Sequence, residues 1–148
     1  HGQTGGTQDW PLAADDLGRV WDAFAALETV DEARTAVVGA SIGANMALRL
    51  GADRPDVAAV ALLSPGLDYR GVTTEEPLAA YGDRPLLLVA SEDDPYSADS
   101  VRALAETAGG ATVQMYDDAG HGTNMFAAET ELSALIISWL DEQLAAGQ

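Results

Sequence analysis

Thr35-Ala36-Val37-Val38-Gly39-Ala40-Ser41-Ile42-Gly43-Ala44-Asn45-Met46-Ala47-Leu48-Arg49-Leu50 is the stretch on which the reading of the fold turns. Its first six residues are a short apolar run and read as a buried strand, Thr35–Ala40. From Ser41 to about Leu50 the pattern is helical, with Gly51 and Pro55 expected to stop it. The junction, Gly39-Ala40-Ser41-Ile42-Gly43, is a G-x-S-x-G turn from strand to helix. Such a turn is tight enough that the residues two away from the serine must be small, so Gly39 and Gly43 are both expected to be sterically required. It lifts the hydroxyl clear at the carboxyl end of the strand, above a helix N-terminus that favours negative charge. Ser41 is therefore a candidate nucleophile, and the N–H of Ile42 a candidate donor to a developing oxyanion. The plainer alternative is an ordinary serine in a glycine-rich turn.

Working outward, Leu17, Val20, Trp21, Phe24 and Leu27 share a helical face, and Asp15 and Asp16 suit the N-terminal end of that helix. Val57 to Leu63 is a second apolar strand, ended by Ser64-Pro65-Gly66. Asp68 to Asp83 is irregular, with one turn of helix around Leu78 to Tyr81. Pro85 to Ser91 is the third strand. Ser97 is the expected N-cap of a helix carrying Val101, Leu104, Ala105 and Ala108, ended by Gly109-Gly110. Ala111 to Tyr116 is the fourth strand. The last helix carries Leu132, Leu135, Ile136, Trp139, Leu140 and Leu144 as a wide apolar stripe that must dock. Trp10, Trp21 and Trp139 read as packing residues. Alternating strands and helices with unbroken apolar strands imply an α/β fold, a mostly parallel four-stranded sheet flanked by helices. The 148 residues suit a single domain, 1–148, with residues 1–10 expected to be flexible.

Composition narrows the function. Twenty-four acidic residues against seven basic ones, all arginine, give a formal charge of −17. That field repels phosphate backbones and anionic lipid, so neither nucleic acid nor a membrane is an expected partner. The absence of cysteine excludes thiol catalysis, disulfides and cysteine-ligated metals. No apolar run approaches a membrane span and no signal peptide is visible, so a cytoplasmic setting is expected.

Ser41 needs a base. Of the two histidines, His121 lies in Asp117-Asp118-Ala119-Gly120-His121-Gly122, just past the fourth strand and on the same sheet edge as Ser41. An orienting acid should follow an intervening strand, and Asp94 does so; Asp93 is its main rival and Asp68 a distant one. Asp117 and Asp118 beside His121 are a weak alternative as metal ligands. The chain order Ser41, Asp94, His121, each one loop beyond a strand end, is a serine-hydrolase order.

On these residues the chain resembles the α/β-hydrolase fold superfamily, specifically its carboxyl-terminal half. Leu62-Leu63-Ser64-Pro65-Gly66-Leu67-Asp68 is similar to small esterases and dienelactone-hydrolase-like members. His1-Gly2-Gln3-Thr4-Gly5-Gly6 resembles the family's R-G-H-G-x-S loop after its fourth strand, and no catalytic role is assigned to His1. The resemblance implies further strands before residue 1 and a second oxyanion donor that has no counterpart here; loss of such a donor costs roughly 10²–10³ in rate. Ser64 to Arg84 is too short for a lid domain. The strand 35–40, central in the whole fold, becomes an apolar edge that is expected to pair, giving a homo-oligomer. The expected function is hydrolysis of small carboxylic esters through Ser41, His121 and Asp94 with an acyl-enzyme intermediate and no cofactor or metal. The alternative is an incomplete hydrolase-like domain that binds or assembles without efficient catalysis.

Overall fold

The computed structural model describes residues 9–146. The expectations placed on His1 to Gly6, and on the flexibility of residues 1–8, lie outside the described residues. Asp9 and Trp10 are ordered parts of a helix: Asp9 caps α1 (Trp10–Ala25) by accepting the Leu12 N–H at 3.0 Å, with Pro11 in the first turn. Asp15 and Asp16, expected at the start of this helix, therefore lie inside it, where they pair with Arg49 and Arg19.

The chain continues through β1 (Thr35–Ala40), α2 (Ile42–Asp53), β2 (Val57–Leu63), a two-residue hairpin of β3 (Asp68–Tyr69) and β4 (Val72–Thr73), and α3 (Glu75–Tyr81). It then forms β5 (Leu86–Ser91), α4 (Pro95–Thr107), β6 (Thr112–Tyr116), α5 (Met125–Ala128) and α6 (Leu132–Ala146). The four long strands make a parallel sheet in the order β1-β2-β5-β6.

The inner strands explain the unbroken apolar runs. In β2, Val60 and Leu62 join Leu86, Leu88 and Ala90 of β5 in a core shared with α1 to α4. The intervening Ala59, Ala61 and Leu63, with Leu87 and Val89, face α5 and α6 through Met125, Leu132, Ile136 and Trp139. Period-2 alternation thus feeds two cores, one on each face of the sheet. By contrast β1 is an edge strand, and Val38 at its middle is 46% exposed.

Other parts of the sequence reading differ from the structure for local reasons. Helix α2 passes through Gly51 to Asp53, because Gly51 serves close packing: a Cβ there would lie 2.8 Å from Val60 Cγ2 and 3.0 Å from the Tyr81 ring. Helix α4 begins at Pro95 after Asp94, so Ser97 sits buried inside it and bonds the Tyr69 hydroxyl at 3.0 Å rather than capping. The segment between β2 and β5 is more ordered than expected. It contributes the hairpin and all of α3, which packs on α2 and forms no lid domain.

Arg84 joins several of these elements. Its guanidinium donates to the carbonyls of Gly51 (2.6 Å), Arg54 (3.2 Å), Val57 (3.2 Å) and Tyr81 (3.0 Å), and lies over the Tyr81 ring. A cation at the end of α2 meets the partial negative charge of the unpaired carbonyls there. Among the described residues no helix is long and apolar enough to cross a membrane.

Candidate active site

The carboxyl edge of the sheet is kept level by ladder bonds that run one residue past each strand. Ser41 N–H donates to Leu63 O (2.9 Å), Ser64 N–H to Val89 O (2.8 Å) and Glu92 N–H to Tyr116 O (2.8 Å). The loops that leave these tips accordingly start side by side.

Ser41 occupies the turn between β1 and α2 with φ 55° and ψ −130°. An L-residue there costs on the order of 1–3 kcal/mol, a strain that the surrounding packing must hold. Gly39 is required by that packing, since a Cβ on it would fall 2.2 Å from the Gly43 carbonyl oxygen and 2.8 Å from Ala47 Cβ. The expectation for Gly43 needs correction. A Cβ on Gly43 would meet nothing within 4 Å, and its φ is not positive, so it is its backbone, not its missing side chain, that the turn uses. Ile42 is the first residue of α2, so its N–H has no carbonyl within the helix to bond and stands at the positive end of the helix dipole.

His121 follows β6 and reaches across the edge. Its Nε2 is 2.7 Å from Ser41 Oγ, and its Nδ1 is 2.5 Å from Asp94 Oδ2. A carboxylate only accepts, so Nδ1 carries the proton and Nε2 offers its lone pair to the serine hydroxyl. The His121 side chain is 41% exposed while that of Asp94 is 18% exposed, so the acid is sheltered and the imidazole faces solvent.

The rival acids have other partners. Asp93 accepts from the Ser91 hydroxyl and from the Gly120 N–H (3.0 Å), and these bonds, the Ser91 one foremost, hold its carboxyl below the usual range. Asp68 caps the β3–β4 turn through the Gly71 N–H at 2.7 Å. Among the described residues no cluster of three His, Asp or Glu side chains could hold a metal ion, and His121 turns to Asp94 rather than to Asp117 or Asp118.

Several residues around the site were not singled out from the sequence. Tyr69, on the hairpin, stands edge-on to the His121 ring at 6.3 Å between centroids, and its burial pushes its phenol up. Tyr96 packs edge-on to Tyr69 at 5.5 Å and bonds both the N–H and carbonyl of Asp68. Asn45, one turn beyond Ser41 on α2, is fully buried; it donates to Gly66 O (2.8 Å) and Val72 O (2.7 Å) and accepts from Gly66 N–H (3.1 Å). The available signal was a lone amide among Ala44, Ala47 and Leu48. Two clefts, one of about 380 Å³ beside Arg49 and Glu76 and one of about 420 Å³ beside Leu67 and Leu104, contain none of Ser41, Asp94 or His121.

A family model described as "alpha/beta hydrolase fold" matches residues 6–97, a span that holds Ser41 and Asp94. No match to a curated protein was found. Solved structures match over nearly the whole chain. A dienelactone hydrolase from Anabaena variabilis ATCC 29413 has a TM-score of 0.73 at 21% identity, over 91% of this chain and 61% of its own. DcsB, solved with its substrate analogue, gives 0.76 at 14% identity over 97% and 76%. Est816, described as an N-acyl homoserine lactone degrading enzyme, gives 0.70 at 19% identity over 92% and 76%. At these identities the likeness is one of fold, and the chain spans 61% of the length of the dienelactone hydrolase.

Proposed function

The chain belongs to the alpha/beta hydrolase fold family, and from that premise we propose that it is a serine hydrolase of small carboxylic esters. Ser41 Oγ attacks the acyl carbonyl as His121 Nε2 takes its proton. Asp94 fixes the tautomer and stabilises the imidazolium that forms. The Ile42 N–H donates to the oxyanion of the tetrahedral intermediate. The alkoxide leaves with the proton from His121, and water, deprotonated by the same imidazole, releases the acid and restores Ser41. The scheme uses no cofactor.

The observation that carries this reading is the pair of contacts at His121, 2.7 Å to Ser41 Oγ and 2.5 Å to Asp94 Oδ2, made by residues from three separate loops. The half-exposed imidazole and the lidless segment between β2 and β5 favour small or extended esters over substrates that must be enclosed. The test is labelling by a fluorophosphonate at pH 8 together with hydrolysis of a chromogenic acetate ester. Both are expected in the native chain and both are lost in Ser41→Ala and His121→Ala. A folded sample that neither labels nor hydrolyses refutes the proposal and favours the alternative of a hydrolase-like binding or assembly module. Full activity in Ser41→Ala refutes the assignment of the nucleophile.

A further inference from the structure

His121 sits on a loop with few apolar anchors of its own, yet the loop is fastened on both sides of it. Before the histidine, Ala119 N–H donates to Ser91 Oγ (2.8 Å) and Gly120 N–H to Asp93 Oδ1 (3.0 Å). After it, Gly122 N–H donates to Ser64 Oγ at 2.8 Å across 58 residues of sequence. Gly122, at φ 58°, passes directly over the nucleophile turn: a Cβ there would be 3.8 Å from Ser41 Cβ and 3.9 Å from Ser41 N. The Ser64 bond therefore sets how far the histidine loop stands from Ser41.

Ser64 itself is unusual. It is wholly buried at the tip of β2, next to the Ser41 turn, and holds a positive φ of 50°. Glycine takes that conformation without steric cost, whereas any side chain is strained in it. A serine there gains nothing locally from its Cβ; what its side chain provides is the acceptor for Gly122. Its carbonyl adds a second link, accepting from the Tyr69 hydroxyl (3.3 Å), and the Tyr69 ring flanks His121.

Resting on the proposed serine-hydrolase reading, we propose that Ser64 is a positioning residue for His121, holding the histidine loop at bonding distance from the nucleophile through the Gly122 N–H. A misplacement of about 1 Å in such a constellation can cost on the order of 10² in rate. Ser64→Gly removes the acceptor while relieving the backbone, so the fold has a reason to survive the change.

The experiment titrates native chain, Ser64→Gly and Ser64→Ala with a fluorophosphonate, recording the rate and the final stoichiometry, alongside kcat and KM on a chromogenic acetate ester. Positioning predicts full stoichiometry with a labelling rate and kcat about 10- to 100-fold lower and KM nearly unchanged. A purely structural role instead lowers the stoichiometry and leaves the rate per labelled site as in the native chain; a native rate in either variant overturns the proposal. Hydrogen exchange on the native chain gives a reading independent of any variant: the Gly122 amide is expected to be protected, and exchange as fast as in an open loop overturns the proposal. A native chain that does not label at all refutes the serine-hydrolase reading instead, so the two failures are distinguishable.

Discussion

Replacing Asn45 with alanine removes a side chain that bridges α2 to the segment carrying Tyr69. Three bonds are lost, to Gly66 O, Val72 O and Gly66 N–H, but Gly66 O keeps the Thr74 hydroxyl at 3.1 Å. Val72 O likewise keeps the Tyr69 N–H, its partner in the β3–β4 ladder, so the change orphans one buried backbone group, the Gly66 N–H. That unpaired donor costs about 1–3 kcal/mol and each of the two other lost bonds about 0.5–1.5 kcal/mol, so a loss of about 3–4 kcal/mol is expected. For a domain of this size 1 kcal/mol moves Tm by about 2–4 °C, which puts the shift near 10 °C. Asn45→Asp sharpens the reasoning. Its carboxylate can accept from Gly66 N–H but faces two carbonyls with no proton to offer, and it buries a charge. It should be worse than alanine at neutral pH. Burial raises its folded-state pKa above that of the unfolded chain, so this variant should recover stability as pH falls and the carboxyl gains a proton. Chemical denaturation at two pH values measures all three. An Asn45→Ala chain within about 1 kcal/mol of native, or an aspartate variant milder than alanine at pH 7, would refute the argument.

Gly39→Ala should abolish soluble folded protein or serine labelling, because its Cβ meets backbone at 2.2 Å, whereas Gly43→Ala should fold and melt at or slightly above the native temperature; equal behaviour of the two on a thermal melt would contradict this. Burial pushes the Tyr81 phenol up to about 12 from its ordinary 10. The folded state therefore keeps this proton after the unfolded chain has lost it, and the associated stability is complete below pH 10 and drains away as pH rises to about 12. Tyr81→Phe should flatten that alkaline limb in denaturation measured across this range, and an unchanged limb would count against the assignment. We also propose self-association through the β1 edge, where Val38 is exposed; light scattering at micromolar concentration should find a dimer or larger species that Val38→Lys dissociates, and a monomer at all concentrations would rule it out.

What could be read from the chain before folding was whatever depends on residues close in sequence. Thr35–Ala40 and Val57–Leu63 have the same bounds in sequence and structure because apolar runs flanked by turn residues are local signals. The G-x-S-x-G turn, His121 and Asp94 were legible as loop tips beyond strand ends, and the structure brings these three together. Misreadings came where one residue type serves two purposes. Gly51 looked like a helix stop and is a packing glycine, and Asp94-Pro95 opens a helix that Ser97 seemed to cap. Ser64, Ser91 and Asn45 were illegible for a different reason. Small polar residues are ordinary in turns, and their partners here lie 58, 28 and 21 to 27 positions away, set by sheet order rather than by spacing.

Arg84 has a consequence for the solvents this protein tolerates. Its contacts are to neutral carbonyls in a partly buried junction, so dissolved ions have little to compete for there. The carboxylate pairs of Arg19, Arg49, Arg54 and Arg102 are exposed and weaken as electrolyte is added, but pairs of that kind contribute little to begin with. Meanwhile the mutual repulsion behind a formal charge of −17 subsides in brine. The two effects leave a molecule that should hold together better at high ionic strength than at low.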